Sequence, residues 1–379
     1  MKPADPPKPA RLLSLDAFRG LTIAAMLLVN NPGSWAHVYA PLRHAEWHGW
    51  TPTDLIFPFF LFIVGAAMAF SMGKYTGAGA RRGAVVWRVA RRVALLIGLG
   101  LLLNGFPMYE LGGLRWPGVL QRIGLVYLLA SIVVLCLPVR AQVGLGVVVL
   151  AGYWATLTFV PVEGVAPAME ATRNLPRAID LAVIGEAHVW GGSPTDPEGL
   201  LSTLPATVTC LLGYWAGLLI RARRDRPAGL LVRLSLLGGA LTAAGSLAGV
   251  VHPINKPLWT SSYVLLTGGL AMVCLAGLYW LVDVRGWRRA ATPAAWMGVN
   301  AILAFVGSGL LARLLIRIPA PGQAIGGADA ASLKAWVYES LVGLGLSEVN
   351  ASLAFAALTV AVWWVLIGVL TTRGVVLRV

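Results

Sequence analysis

Charge is scarce in this chain. Asp, Glu, Lys and Arg make up 12% of its 379 residues, against about 25% in a soluble domain. With 58% hydrophobic residues and a mean hydropathy of +0.75, that scarcity excludes an ordinary water-soluble fold and makes lipid part of the solvent. Cysteine is scarce too. Cys136, Cys210 and Cys274 lie in or beside apolar runs and form no CxxC pair, so neither a disulfide framework nor a cysteine zinc site is indicated. A phosphate-cradling P-loop, a GxSxG elbow and an HExxH helix are all missing, which weighs against ATPases, serine hydrolases and zincins. The net charge of +14 would suggest nucleic acid in a soluble protein. Here it reads instead as basic cytoplasmic loops facing anionic headgroups: membrane lipids are the expected partner and nucleic acid is not.

What is present is a series of ten apolar runs, near 15–33, 53–73, 85–104, 119–137, 142–160, 204–221, 233–251, 262–282, 293–313 and 351–371. Each is long enough to cross roughly 30 Å of hydrocarbon. The third is the least clean, because Arg88, Arg91 and Arg92 occupy its first half. The expected fold is all-α, a polytopic transmembrane helical bundle of about ten spans. Residues 1–12, polar and Pro-rich, are expected to be a disordered cytoplasmic tail, and 13–379 a single transmembrane domain. With the N-terminus inside, inner segments hold 20 of the 30 Lys and Arg and outer segments 8. The positive-inside rule then predicts that both termini are cytoplasmic. All five histidines fall on the outer side, as do the motif-like loops, so the chemistry is expected toward the periplasm of a cell inner membrane. ASLKAWVYESLVGLGL, in the last outer segment, has the spacing of a short amphipathic helix lying on the membrane or covering a site.

Six stretches carry polar residues beside or within spans. In LDAFRG, Asp16 and Arg19 share one helix face and form a local ion pair or meet a charged cofactor. The loop PGSWAHVYAPLRHAEWHGWTPTD packs three His and three Trp with Arg43, Glu46 and Asp54. His44 and His48, four apart, would share a helix face and bind a metal, but no third ligand follows, so no metal is expected. His44 reads better as a general base, since neutral imidazole takes up a proton near neutral pH. Glu46 or Asp54 would orient it; Asp54 also suits the cap of the second span. In RWPGVLQRIGLVY, Arg122 lies within the membrane boundary, where charge is costly and is either paired or functional. Asp54 and Glu110 are its candidate partners, a phosphate or carboxylate the alternative. Asp196 and Glu198 in DPEGLLSTLPA carry a helix-start signature. Lys256 sits in a short outer loop, against the positive-inside trend. Asn300 and Ser308 are polar residues in a span, where hydrogen bonding between helices is the default role.

Together, LDAFRG, VNNPG, PLRHAEWHGWTPTDLIFPFFLFIVG, RWPGVLQRIGLVY, DPEGLLSTLPA, INKPLWTSSYVL and GVNAI resemble the heparan-alpha-glucosaminide N-acetyltransferase family from about residue 13 to 310. The resemblance implies a multi-span enzyme that takes acetyl-CoA from the cytoplasm as co-substrate and acetylates the amine of a terminal glucosamine across the membrane. It implies a catalytic histidine at His44 and a catalytic asparagine at Asn30 or its neighbour Asn31. In that chemistry His44 is base or transient acetyl carrier, Asn30 donates to the oxyanion or orients His44, and Asp54 is the carboxylate behind it. Arg19, Gln121, Arg122 and Lys256 are the expected contacts to CoA or sugar. Trp47, His48, Asp196 and Glu198 are the expected contacts to the amino-sugar acceptor. A homodimer stands among the expected partners. Polar groups inside the bilayer imply a central cavity open to both faces. O-acylation of an envelope glycan or lipid, and transport of sugars or acyl groups, are the rival readings.

Overall fold

A computed structural model describes residues 12–72, 75, 82–162, 164–322 and 331–377. The first eleven residues, expected as a tail, lie outside that set, as do Lys74, Arg81 and Arg378, three of the cations expected on the inner side. Among the described residues there is no strand. The helices are α1 Leu13–Asn30, α2 Ile56–Ser71, α3 Arg82–Gly105, α4 Val119–Cys136, α5 Val139–Phe159, α6 Leu175–Val183, α7 Thr203–Arg223, α8 Pro227–Val251, α9 Ser261–Tyr279, α10 Arg288–Val299, α11 Ala301–Arg317, α12 Leu333–Gly343 and α13 Glu348–Thr372.

Each of the ten expected runs falls on a helix. Eight are long and apolar enough to span a membrane: α1, α2 with its preceding 3-10 turn, α4, α5, α7, α8, α9 with its π-turn, and α13. The ninth run is broken. α10 and α11 meet at Asn300 at an angle of 65°. Asn300 is more than a bond between helices: its Nδ2 donates to Thr371 Oγ1 at 3.0 Å and its Oδ1 accepts from Leu377 N at 3.0 Å, which clamps the bend to the end of α13. The third run is α3, 24 residues and about 36 Å long. Its Arg92 lies over the Tyr127 ring at 4.5 Å, so an aromatic face meets this arginine within the bundle.

Close packing rests on glycines at helix crossings. A Cβ on Gly65 would stand 1.7 Å from Cys210 O and one on Gly213 1.8 Å from Phe62 O, so α2 and α7 touch backbone to backbone. Gly20 and Gly298 do the same for α1 and α10. Small residues of this kind are what let helices associate in lipid. α5 and α8 bury little of their surface, and their exposed Val and Leu side chains suit acyl chains. α12 forms where its spacing predicts. It packs on α11 and α13, and its Tyr338 hydroxyl meets His37 Nδ1 at 3.0 Å.

Candidate active site

One buried carboxylate organises the α1–α2 connection. Asp54 is 1% exposed. Its Oδ2 accepts from Thr51 N and Ala45 N, each at 3.0 Å, completing a capping box at the start of the second span. Its Oδ1 accepts from His44 Nδ1 at 2.6 Å. Capping and orientation, alternatives in the sequence, are thus performed by two oxygens of one group. The residues from Arg43 to Trp50 form no helix, so His44 and His48 do not share a face. With Nδ1–H committed to Asp54, His44 Nε2 is left as the basic nitrogen, the arrangement a general base requires.

The short loop between α8 and α9 brings a cation to this pair. Lys256 Nζ lies 3.0 Å from His44 Nδ1, 3.3 Å from Nε2 and 3.3 Å from Asp54 Oδ1. The loop is held from both sides. Asn255 donates to Trp47 O at 2.9 Å, its Oδ1 accepts from Leu258 N at 2.8 Å, and the buried Trp259 takes a left-handed φ of 51°. Such a conformation persists only where its surroundings over-determine it. Burial lowers the Lys256 ammonium below the ordinary amine range, and Asp54 beside it offsets part of that.

These groups line a cavity of about 440 Å3 together with Asn30, Glu46, Trp47, Arg115, Trp190 and Glu198. Arg115 Nη2 pairs with Asp196 Oδ1 and Glu198 Oε2, each at 2.6 Å, while its guanidinium lies 5.3 Å from the Trp190 ring centre. A second cavity of about 220 Å3 adjoins the first, sharing Met26, Asn30, Arg115 and Val119. Its polar lining is Asn31, Asn104, Gln121, Ser308 and Arg313. Gln121 Nε2 is buried there without a hydrogen-bond partner. Farther along α1 the space narrows to a void of about 10 Å3 between Ile23, Phe60, Ile123 and Ala301. In place of the expected passage open to both faces, the described residues form two joined chambers above this apolar constriction.

The structure therefore brings together His44, Asp54, Lys256, Asn30, Trp47 and Glu198, with Gln121 in the adjoining chamber. Asn31 is tied to its own helix through Leu27 O at 2.8 Å, whereas Asn30 faces both chambers. His48 stands behind the wall, 3.3 Å from Asn255 Nδ2, and Asp196 is buried beneath Arg115. Arg122 is neither at the cavity nor paired with Asp54 or Glu110. It is fully buried, donates to Gly199 O at 2.7 Å and to Ser202 Oγ, and lies over the Trp259 ring at 5.2 Å. Arg122 therefore braces the turn bearing Glu198 and the loop bearing Lys256. Arg19 sits beside Asp16 and Gly298 O, about 16 Å down the axis from Asn30. Sequence reasoning missed Asn104, Trp190 and Arg313. Arg313 was detectable as a cation near the end of a span; no pattern pointed to the other two.

Residues 11–228 match the family model described as heparan-alpha-glucosaminide N-acetyltransferase, catalytic. The chain is 32% identical over 356 residues to the heparan-alpha-glucosaminide N-acetyltransferase of Homo sapiens, with 79% of this chain and 53% of the human protein covered. It is 30% identical over 358 residues to that of Mus musculus, with 79% and 54% covered. The chain spans about half the length of the curated relatives it matches.

Proposed function

Since the chain belongs to the heparan-alpha-glucosaminide N-acetyltransferase family, we propose that it is a membrane-embedded acyltransferase moving an acetyl group from acetyl-CoA to the amine of a glucosamine-type sugar. The observation that carries this reading is the His44–Asp54 pair at the wall of one chamber, with Asn30 at the junction to a second. Acetyl transfer from a thioester needs a base for the amine proton and a donor for the developing oxyanion. His44 Nε2 takes the proton. Asp54 holds the ring and stabilises the imidazolium. The Asn30 amide faces the place where the carbonyl would stand.

The two chambers divide the substrates between them. The wider one, with Glu46, Glu198 and the faces of Trp47 and Trp190, suits an amino sugar. The narrower one, lined by the side-chain amides of Asn104 and Gln121 and by Arg313, suits the amide-bearing arm of CoA. The unpartnered Gln121 Nε2 fits that assignment, because a buried donor without a partner is costly and a ligand carbonyl would satisfy it. Loop charge supports a reading in which this end faces the periplasm of an inner membrane and the donor arrives from the cytoplasmic side past the Ile23 constriction.

The direct test incubates the purified protein with labelled acetyl-CoA and glucosamine. Product is expected from the wild type. His44→Ala should lose activity by about 10²–10⁴-fold while melting normally in detergent. Sugar uptake into vesicles without acetylation would refute the enzymatic reading.

A further inference from the structure

From the sequence Lys256 is a cation in an unexpected loop and, by resemblance, an expected contact to CoA or sugar. Its Nζ lies within 3.3 Å of both ring nitrogens of His44 and of Asp54 Oδ1. A fixed cation that close opposes formation of imidazolium: if Lys256 kept its proton throughout, His44 would make a poor base. The contact makes chemical sense if the lysine gives up a proton while the histidine gains one. We propose that Lys256 is the general acid of the reaction, delivering a proton to the departing thiolate and recovering it from His44.

The inference rests on the acyltransferase reading above. The acceptor nitrogen attacks the thioester carbonyl, a C–N bond forms, and an N–H proton passes to His44 Nε2. The C–S bond breaks, and the sulfur takes a proton from the Lys256 ammonium as its electron pair returns to it. His44 Nε2 then returns its proton to the neutral Lys256 amine across the contact of 3.3 Å. The net change is amine plus thioester giving amide plus thiol, with both side chains restored. Asp54 remains ionised, and the Lys256–His44–Asp54 group starts and ends neutral overall. Two further facts agree. Lys256 lines the same chamber as His44 and Asn30, and burial lowers the pKa of its ammonium, which makes it a readier proton donor.

The experiment compares two donors on the full-length protein: acetyl-CoA, and the acetyl thioester of p-nitrothiophenol, whose thiolate departs without a proton. Lys256→Arg keeps the charge but cannot release a proton; Lys256→Met removes both. Each variant should lose about 10²–10³-fold with acetyl-CoA and come within about tenfold of the wild type with the activated donor. His44→Ala should stay inactive with both. The wild-type rate on acetyl-CoA should fall at high pH as Lys256 loses its proton, and Lys256→Arg should lack that limb. Equal impairment of the lysine variants with both donors, or none with either, overturns the role. A wild type inactive with both donors removes the acyltransferase reading itself, and this role with it.

Discussion

His252, at the C-terminal cap of α8, is a buried imidazole that lines neither chamber. It is 4% exposed, its Nε2 has no partner, and burial pushes its pKa down to about 4, with the neighbouring His48 acting in the same direction. The folded state thus disfavours the charged imidazole. Where pH lies between the ordinary value of about 6.5 and about 4, the unfolded chain binds the extra proton. Stability from this site is therefore complete above pH about 6.5 and is lost as pH falls toward 4. The melting temperature in detergent should drop across that window, with a loss on the order of 2 kcal/mol. His252→Gln should flatten the drop; an equal drop in the variant would assign the acid sensitivity elsewhere. At the candidate site, His44 and Asp54 lie 10 positions apart across one loop, so a base and its carboxylate were readable as neighbours in the sequence. Lys256 was readable as a cation in an unexpected loop, but His44 lies 212 positions from it and no spacing rule reaches that far.

Helix identity and order followed from apolar run length, because every backbone polar group in lipid must be satisfied within a helix. The break at Asn300 did not, since it depends on Thr371 and Leu377 approaching from α13. Nor did α6, which lies in a long polar connection and starts on an Asn174 cap. The glycines were too numerous, 44 in all, to mark the packing positions by sequence alone. Position in the fold separates them. Gly65 on α2 faces Cys210 backbone, whereas Gly277 on α9 faces open space. Gly65→Ala should wedge α2 from α7 and cost about 1–3 kcal/mol or prevent folding. Gly277→Ala, in a helix that gains from losing glycine, should be neutral or slightly stabilising. Thermal melts of both variants in one detergent check this, and equal behaviour would mean that the α2–α7 contact relaxes freely. Because α2 continues from the turn bearing Asp54 and α7 follows Glu198, a displaced crossing should also lower activity.

The chamber end of the whole bundle is where the connections α1–α2, α3–α4, α6–α7 and α8–α9 converge. His188 Nδ1 meets Leu114 O at 2.8 Å, Trp47 Nε1 donates to Met169 O at 2.7 Å, and Asn255 reaches Trp47. The opposite end carries the arginine-rich α7–α8 turn, with Arg223, Arg224 and Arg226. That asymmetry predicts an orientation with the arginine-rich end in the cytoplasm, because Lys and Arg near span ends resist translocation. Two exposed positions read it out: Leu111 at the chamber end and Asp225 in the α7–α8 turn. In a chain with Cys136, Cys210 and Cys274 replaced, Leu111→Cys should react with a membrane-impermeant maleimide added to intact cells. Asp225→Cys should react only after the cells are opened. The reverse order would turn the bundle over and put the His44 chamber in the same compartment as acetyl-CoA, making transfer across the membrane unnecessary. The chemistry at His44 and Lys256 would survive that outcome, but the Ile23 constriction would lose its role in the path of the donor.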